Sequence, residues 1–199
     1  MNSKNIRLLI IGGLVAILGF WGCGSYNGLV KKDETVKQAF ANVQVQYQRR
    51  ADLIPGLIRT VQEAAKNEKD ILATVTKARA GIDDAKKDIA NATTPQQIEA
   101  ANAKINSALT IAVEAYPQVR STEAFLNFQA SLQETENMIS TKRSDYNNAI
   151  KEYNVSARSF PGNIMAGIFG FKQKDAFSAQ EGAEKAPNYD NLWDKGKKE

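Results

Sequence analysis

The stretch Val36-Lys-Gln-Ala-Phe40-Ala-Asn-Val43-Gln-Val-Gln-Tyr47-Gln-Arg49-Arg50-Ala-Asp52-Leu-Ile54-Pro55-Gly-Leu57-Ile-Arg-Thr-Val61-Gln-Glu-Ala64 decides the fold. Its apolar residues Val36, Phe40, Val43, Tyr47, Ile54, Leu57, Val61 and Ala64 recur in steps of four and three, and Arg50 fills the one seam position left between them. Such steps stack side chains on one face of an α-helix, whereas a strand would alternate. The spacing predicts a long amphipathic helix over about 33–66. Pro55 lies inside it. The proline removes one amide donor and crowds the carbonyl of Ala51, so a kink is expected there.

The same steps continue outward. Ile71, Val75, Ala78, Ile82, Ala85 and Ile89 predict a second helix over 68–90. Thr94 before Pro95 is a helix-start signal, and Ile98, Ala101, Ile105, Ala108 or Leu109, and Ala112 predict a third helix over 95–115, ended by Tyr116-Pro117. A fourth, over 121–158, opens at Ser121 or Thr122. It carries Phe125, Phe128, Leu132, Thr135, Ile139, Tyr146, Ala149 or Ile150, Tyr153 and Ala157, and stops at Phe160-Pro161-Gly162. No alternating β-branched run bounded by hairpin turns occurs. The expected fold is all-α: an antiparallel up-and-down four-helix bundle with long first and fourth helices over 29–160, preceded by an N-terminal membrane segment over 1–28. Residues 161–199 are expected as an apolar loop followed by a flexible polar tail. The loop carries Ile164, Met165, Ile168, Phe169 and Phe171. It either packs over a bundle end or offers a patch to a membrane or to another copy.

The membrane segment is read from charge and hydropathy. Lys4 and Arg7 precede the uncharged run Leu8–Gly22, in which Leu8, Leu9, Ile10, Ile11, Leu14, Val15, Ile17, Leu18, Phe20 and Trp21 would contact lipid. Fifteen helical residues span about 22 Å, short of a ~30 Å hydrocarbon core. Continuing to Tyr26 and letting the cations snorkel makes one span feasible. Cys23 opens a second reading. Gly22-Cys23-Gly24-Ser25 fits the small-residue part of a lipoprotein signal, but Phe20 and Trp21 are bulky for the rest, so an uncleaved anchor and an acylated Cys23 both stand. The order of charge, apolar run and domain favours a single-pass inner-membrane protein with its body on the extracytoplasmic side. The net charge of +4 supports this placement: residues 1–50 carry +5 and the remainder −1, so the basic excess flanks the apolar run. A nucleic-acid binder would carry a basic stripe on its folded body, and none is expected here.

The chain has no His and one Cys, which removes the usual neutral-pH acid/base, the commonest metal ligand, and any internal disulfide. No phosphate-binding loop, nucleophile elbow or calcium loop is present, and no cofactor, metal or small-molecule substrate is expected. The densest polar chemistry is Arg49, Arg50 and Asp52 on the first helix, facing Glu136, Asn137, Arg143, Tyr146 and Asn147 on the fourth. With antiparallel helices in register, Arg50 would reach Glu136, and Asp52 would reach Arg143 or Lys142. The set is expected to form a buried polar layer that sets register, or a partner contact. Tyr146-Asn147 and Tyr153-Asn154 repeat seven apart on one face.

These residues resemble the LemA family. The resemblance is carried by Tyr26-Asn-Gly-Leu-Val30, Tyr47-Gln-Arg-Arg-Ala-Asp-Leu-Ile-Pro55, Lys77-Ala-Arg-Ala80, Thr135-Glu-Asn-Met-Ile139, Arg143, the two Tyr-Asn pairs, Phe160-Pro161 and Gly170-Phe171. It implies a bacterial membrane-anchored helical bundle without established enzymatic activity. The departures are Gly56, where the family usually has Asn, and Ala64-Ala-Lys-Asn67, where a His-containing stretch is common. The expected function is a non-enzymatic membrane-tethered scaffold acting through self-association or an envelope partner, with membrane organisation or remodelling as its role. The alternatives are an envelope adaptor for a signalling or stress-response protein and, remotely, a carboxylate hydrolase.

Overall fold

The computed structural model describes residues 3–65 and 68–178, with side chains from residue 19 onward. In chain order the elements are α1 (Ser3–Ala64), α2 (Lys69–Asn91), α3 (Pro95–Ala115), a 3-10 turn (Pro117–Ser121), α4 (Glu123–Arg158) and α5 (Gly162–Phe169). Among the described residues there is no strand, and the fold they form is all-α.

α1 is longer than the 33–66 stripe predicted. It begins at Ser3 and runs 62 residues, about 93 Å at ~1.5 Å per residue. Only glycines interrupt the stretch between the apolar run and the stripe, and a glycine weakens a helix by ~1 kcal/mol without ending it. Packing of Leu29, which is buried, and of Tyr26 against α5 offsets that cost. Pro55 lies inside α1, where Ile54, Leu57 and Ile58 around it are buried and hold the helix through tertiary packing. Among the described residues no helix is long and apolar enough to cross a membrane. The side chains of Leu8, Leu9, Ile10, Ile11, Leu14, Val15, Ile17 and Leu18 lie outside the described residues, as does everything expected of the tail beyond 178. Phe20 and Trp21 are described, and both stand exposed.

α1 and α4 run antiparallel along their lengths: Lys32 meets Glu152, the Phe40 ring meets Tyr146, and Arg50 meets Glu136. α2 returns along α1, where the Gln44 amide donates to the carbonyls of Ile89 and Ala92 at 3.0 and 2.9 Å. α3 lies antiparallel to α2, joined at the surface by Lys104 and Asp88. One core, including Ile54, Ile58, Val61, Ile82, Ile105, Val113 and Leu132, draws on all four. Each such side chain contributes about 1.5–3 kcal/mol when fully buried. At one position the stripe shifts: Ala65, not Ala64, is buried.

Local chemistry sets the boundaries. Thr94 caps α3 in a capping box with Gln97, and Pro95 takes the first helical position. The Thr122 side chain accepts from the Phe125 N–H at 3.2 Å and opens α4. After α4 the structure departs from the expected loop. Residues 162–169 form α5, and 171–178 run extended along α4. The glycines that read as breakers serve packing and turning. A Cβ at Gly162 would collide with the Ser156 carbonyl oxygen, and Gly170, at φ 74°, ends α5 in the left-handed conformation, letting the Phe171 N–H reach the Ala166 carbonyl at 3.0 Å.

The outcome that matters most for function is a mismatch in length. α2 and α3 end level with Gln44 of α1. Beyond that level α1 and α4 continue as a pair, and the extended segment 171–178 lies along them as the third layer.

Candidate functional site: a buried ion pair and a backbone-reading cleft

The polar residues expected in one layer divide between three places. Arg50, 4% exposed, pairs through Nη1 with Glu136 and donates from Nη2 to Asn106 Oδ1 of α3 at 2.8 Å. The pair, with Arg50 buried and Glu136 half-buried, ties α1, α3 and α4 in one register. Arg49, Asp52 and Asn137 instead lie on the surface. Arg49 approaches Glu134 at 3.7 Å, Asn137 accepts from Gln133 on its own helix, and Asp52 pairs with Lys86 of α2 at 2.6 Å, not with Arg143 or Lys142. Asp52 faces α2 because it stands two residues after Arg50, about 200° around the helix at 3.6 residues per turn. Exposed pairs of this kind contribute ~0–1 kcal/mol.

Arg143, Tyr146 and Asn147 belong to the third place, the cleft that holds 171–178. Asn147 Nδ2 donates to the Phe177 carbonyl at 3.0 Å, and its Oδ1 accepts from the Phe177 N–H at 2.9 Å. Asn154 repeats this pair of bonds with Lys174, at 2.9 and 3.0 Å. The Tyr146 hydroxyl donates to the Asp175 carbonyl at 3.1 Å, and the Tyr153 hydroxyl to the Lys172 carbonyl at 2.9 Å. Arg143 donates to the Ser178 carbonyl at 2.8 Å and to Glu99 of α3 at 3.0 Å.

A simple metric explains the register. Seven helical residues rise about 10.5 Å, and three extended residues rise about 10 Å. The Tyr-Asn pairs stand seven apart on α4, and their partners stand three apart on the extended segment: Lys172 and Asp175 for the tyrosines, Lys174 and Phe177 for the asparagines. The heptad therefore reads a backbone as a ladder, and each asparagine amide stands where a neighbouring strand's peptide group would.

Side chains add selectivity. Phe177 is buried against the Tyr146 ring at 5.3 Å, with the Arg143 guanidinium 4.8 Å over its own ring. Lys174 pairs with Asp33 of α1 at 2.8 Å and lies over the Tyr153 ring. Phe171 contacts Tyr26 edge to face at 5.8 Å. Burial pushes the Asp33 carboxyl up, but hydrogen bonds and charge from Lys174 and Lys37 outweigh it and hold the group below its ordinary range. Burial, followed by the charge of Asp175, pushes the Tyr146 hydroxyl up to about 12. A cavity of about 530 Å³ opens where the cleft meets the α2–α3 turn, lined by Val36, Phe40, Thr94, Tyr146 and Lys174 among others. The site can hold an extended chain through its backbone, with an aromatic pocket at Phe177 and an acidic contact three residues before it.

Reading the sequence singled out Tyr146, Asn147 and Arg143 but placed them against α1. Asn106 and Glu99 of α3, Asp33, Lys174 and Phe177 carry no such signal in the sequence and join the site through packing. The seven-residue Tyr-Asn repeat was the available signal. Cys23 is exposed on α1, beside the level at which Met165 of α5 touches Gly22.

The model of the LemA family matches residues 39–190 of the chain. Among curated proteins, the chain is similar to Magnetosome protein MamQ 2 and Magnetosome protein MamQ 1 of Paramagnetospirillum magneticum, each 28% identical over 174 residues. It is also similar to Magnetosome protein MamQ of Magnetospirillum gryphiswaldense, 25% identical over the same length. These matches cover 76% of the chain, which spans 64% of the length of each relative.

Proposed function

The chain belongs to the LemA family, and from that premise we propose that it is a non-enzymatic, membrane-tethered helical scaffold. In this reading an antiparallel four-helix bundle, with long first and fourth helices, projects from a bacterial membrane and acts by contact with another copy or with an envelope protein. The observation that carries it is the continuity of α1: one helix joins the uncharged run after Arg7 to the packed core at Ile54 and Val61. A helix shared by tether and body transmits position and orientation stiffly, as a scaffold requires. The similarity to magnetosome proteins supports an association with membranes. The order of charges favours a single pass in the inner membrane with the body extracytoplasmic, and Cys23 offers lipidation as the alternative attachment.

The test has two parts. Intact mass of membrane-extracted protein separates an uncleaved chain from one processed and acylated at Cys23. Crosslinking in cells, followed by light scattering of the detergent-extracted protein, reads association. A strict monomer without crosslinked partners, or a chain recovered free in solution, overturns the scaffold reading.

The second reading, an envelope adaptor, is favoured by the cleft on α4, since backbone-directed bonds suit a peptide ligand. Arg49→Ala and Asn147→Ala variants that keep their helical circular dichroism but lose a partner in pull-down would select it. A hydrolase reading draws only on scattered carboxylates, and turnover in a general hydrolase panel would be needed to revive it.

A further inference from the structure

α5 is built inside out. Its protein-facing positions are the small residues Gly162 and Ala166, with Met165 half-buried, while Ile164, Ile168 and Phe169 stand 47%, 67% and 57% exposed. A short helix that packs small residues inward and presents its largest apolar side chains outward gains nothing from water on that face. Phe160, just before α5, is exposed as well.

The patch has a definite place along α1. Met165 touches Gly22 at 3.5 Å, and the Phe169 ring lies 4.6 Å from that of Tyr26. The exposed Phe20 and Trp21 sit on α1 one to two turns before Tyr26. α5 thus lies at the downstream end of the uncharged run 8–22, the level at which a helix leaving a bilayer carries its aromatic belt. Charge agrees with position. From Ser159 to Phe171 the chain carries no charge, and the first charged residue on either side is a cation, Arg158 or Lys172, both exposed.

We propose that α5, with Phe160, Phe20 and Trp21, is an interfacial collar that rests in the headgroup region of the bilayer the chain is tethered to, with Arg158 and Lys172 facing anionic lipid. The proposal rests on the membrane-tethered reading and adds a second lipid contact to it. The collar fixes the angle at which the α1–α4 pair leaves the membrane: a helix alone can tilt about its anchor, and a second contact a few ångströms from its axis resists that tilt. A lipid surface is the occupant favoured over another copy because the patch is continuous with the apolar run on α1, and whatever surrounds that run also meets Phe20.

The test places the only tryptophan of the full-length protein on the outer face of α5, as Ile168→Trp with Trp21→Phe and Trp193→Phe. The protein is reconstituted into phosphatidylethanolamine vesicles containing phosphatidylglycerol. Lipids brominated near the headgroup end of the acyl chains should quench this tryptophan about two-fold or more, and lipids brominated near the chain ends should quench it less. The control is Ile111→Trp on α3, in the same background, whose fluorescence should stay unquenched. Vesicles that float with the protein while the α5 tryptophan is quenched no more than the α3 control leave the tether standing and overturn the collar. Shielding of the α5 tryptophan from aqueous iodide without lipid quenching marks a second copy on the patch and also overturns it. Failure of folded, helical protein to float with vesicles overturns the tether and the collar together.

Discussion

Asn147 and Phe177 exchange two hydrogen bonds across thirty residues of sequence, the asparagine amide donating to the phenylalanine carbonyl at 3.0 Å and accepting from its N–H at 2.9 Å. A side chain here takes the place of a strand. Asn154 does the same for Lys174, so the extended segment is held at two points by groups indifferent to its side chains.

Replacing Asn147 by Ala should release this ladder at one rung. Two hydrogen bonds are lost and buried backbone groups are left unsatisfied, at a cost of about 1–3 kcal/mol to docking of the segment. Hydrogen exchange at 172–178 should accelerate by roughly ten-fold or more, while α2 and α3 remain protected. Unchanged protection at Phe177 would mean the asparagine does not hold the segment.

Phe177→Ala should cost about 3–5 kcal/mol, because a buried ring is removed from between Tyr146 and Arg143 and the cleft cannot close over the space. The loss belongs to the part of the α1–α4 pair that α2 and α3 do not cover. A urea melt followed at that end, by exchange at Val36 and Ile150, should move further than one followed at Ile105. Equal movement at both ends would contradict a separate third layer.

The Arg50–Glu136 pair predicts that a single variant loses more stability than the double one. Glu136→Leu leaves the Arg50 guanidinium buried without its carboxylate, and should destabilise by about 3–5 kcal/mol. Arg50→Met combined with Glu136→Leu removes both charges and should recover most of that loss. Chemical denaturation of the four members of this cycle checks it, and additive losses would show that the two residues do not interact.

The cleft should also respond to pH at both extremes. Burial first, and Asp175 second, hold the Tyr146 hydroxyl proton to about 12 against an ordinary 10. A raised folded-state value means that the folded chain keeps a proton the unfolded chain has released. Its contribution is therefore complete below pH 10 and is lost as pH rises toward 12. Asp33 works the other way. Its folded value is held below 3.8, so its contribution is present above that value and disappears as the carboxyl protonates on further acidification. Thermal melts of Tyr146→Phe should show a shallower alkaline loss than the parent, and Asp33→Asn a shallower acid loss. Parallel curves would exclude these groups.

The repeat in steps of three and four was enough to identify the helices and most of their buried faces, because an amphipathic helix stores its own period in its side chains. The stops at Thr94-Pro95 and Tyr116-Pro117 were equally legible, since caps and prolines act within a few residues. α5 was missed because eight residues interrupted by glycine carry barely two turns of pattern, and the role of Gly162 is a contact with the backbone of Ser156 that no local signal announces.

Helical class, most seam residues of α1 to α4, the charge asymmetry about the apolar run, and the presence of Arg50 in an apolar stripe are all written in the order of residues. Arg50 opposite Glu136 was legible as well, from the register of two antiparallel stripes; packing between helices added Asn106 of α3 to that pair, turned Asp52 away to Lys86, and set the Tyr-Asn heptad against residues 171–178. The physical reason is that periodicity is a property of one element, whereas the cleft exists because α2 and α3 stop short of the other two. Its occupant, the segment 171–178, is held largely through peptide groups, which are the same in every residue and so give little local signal of where the segment docks.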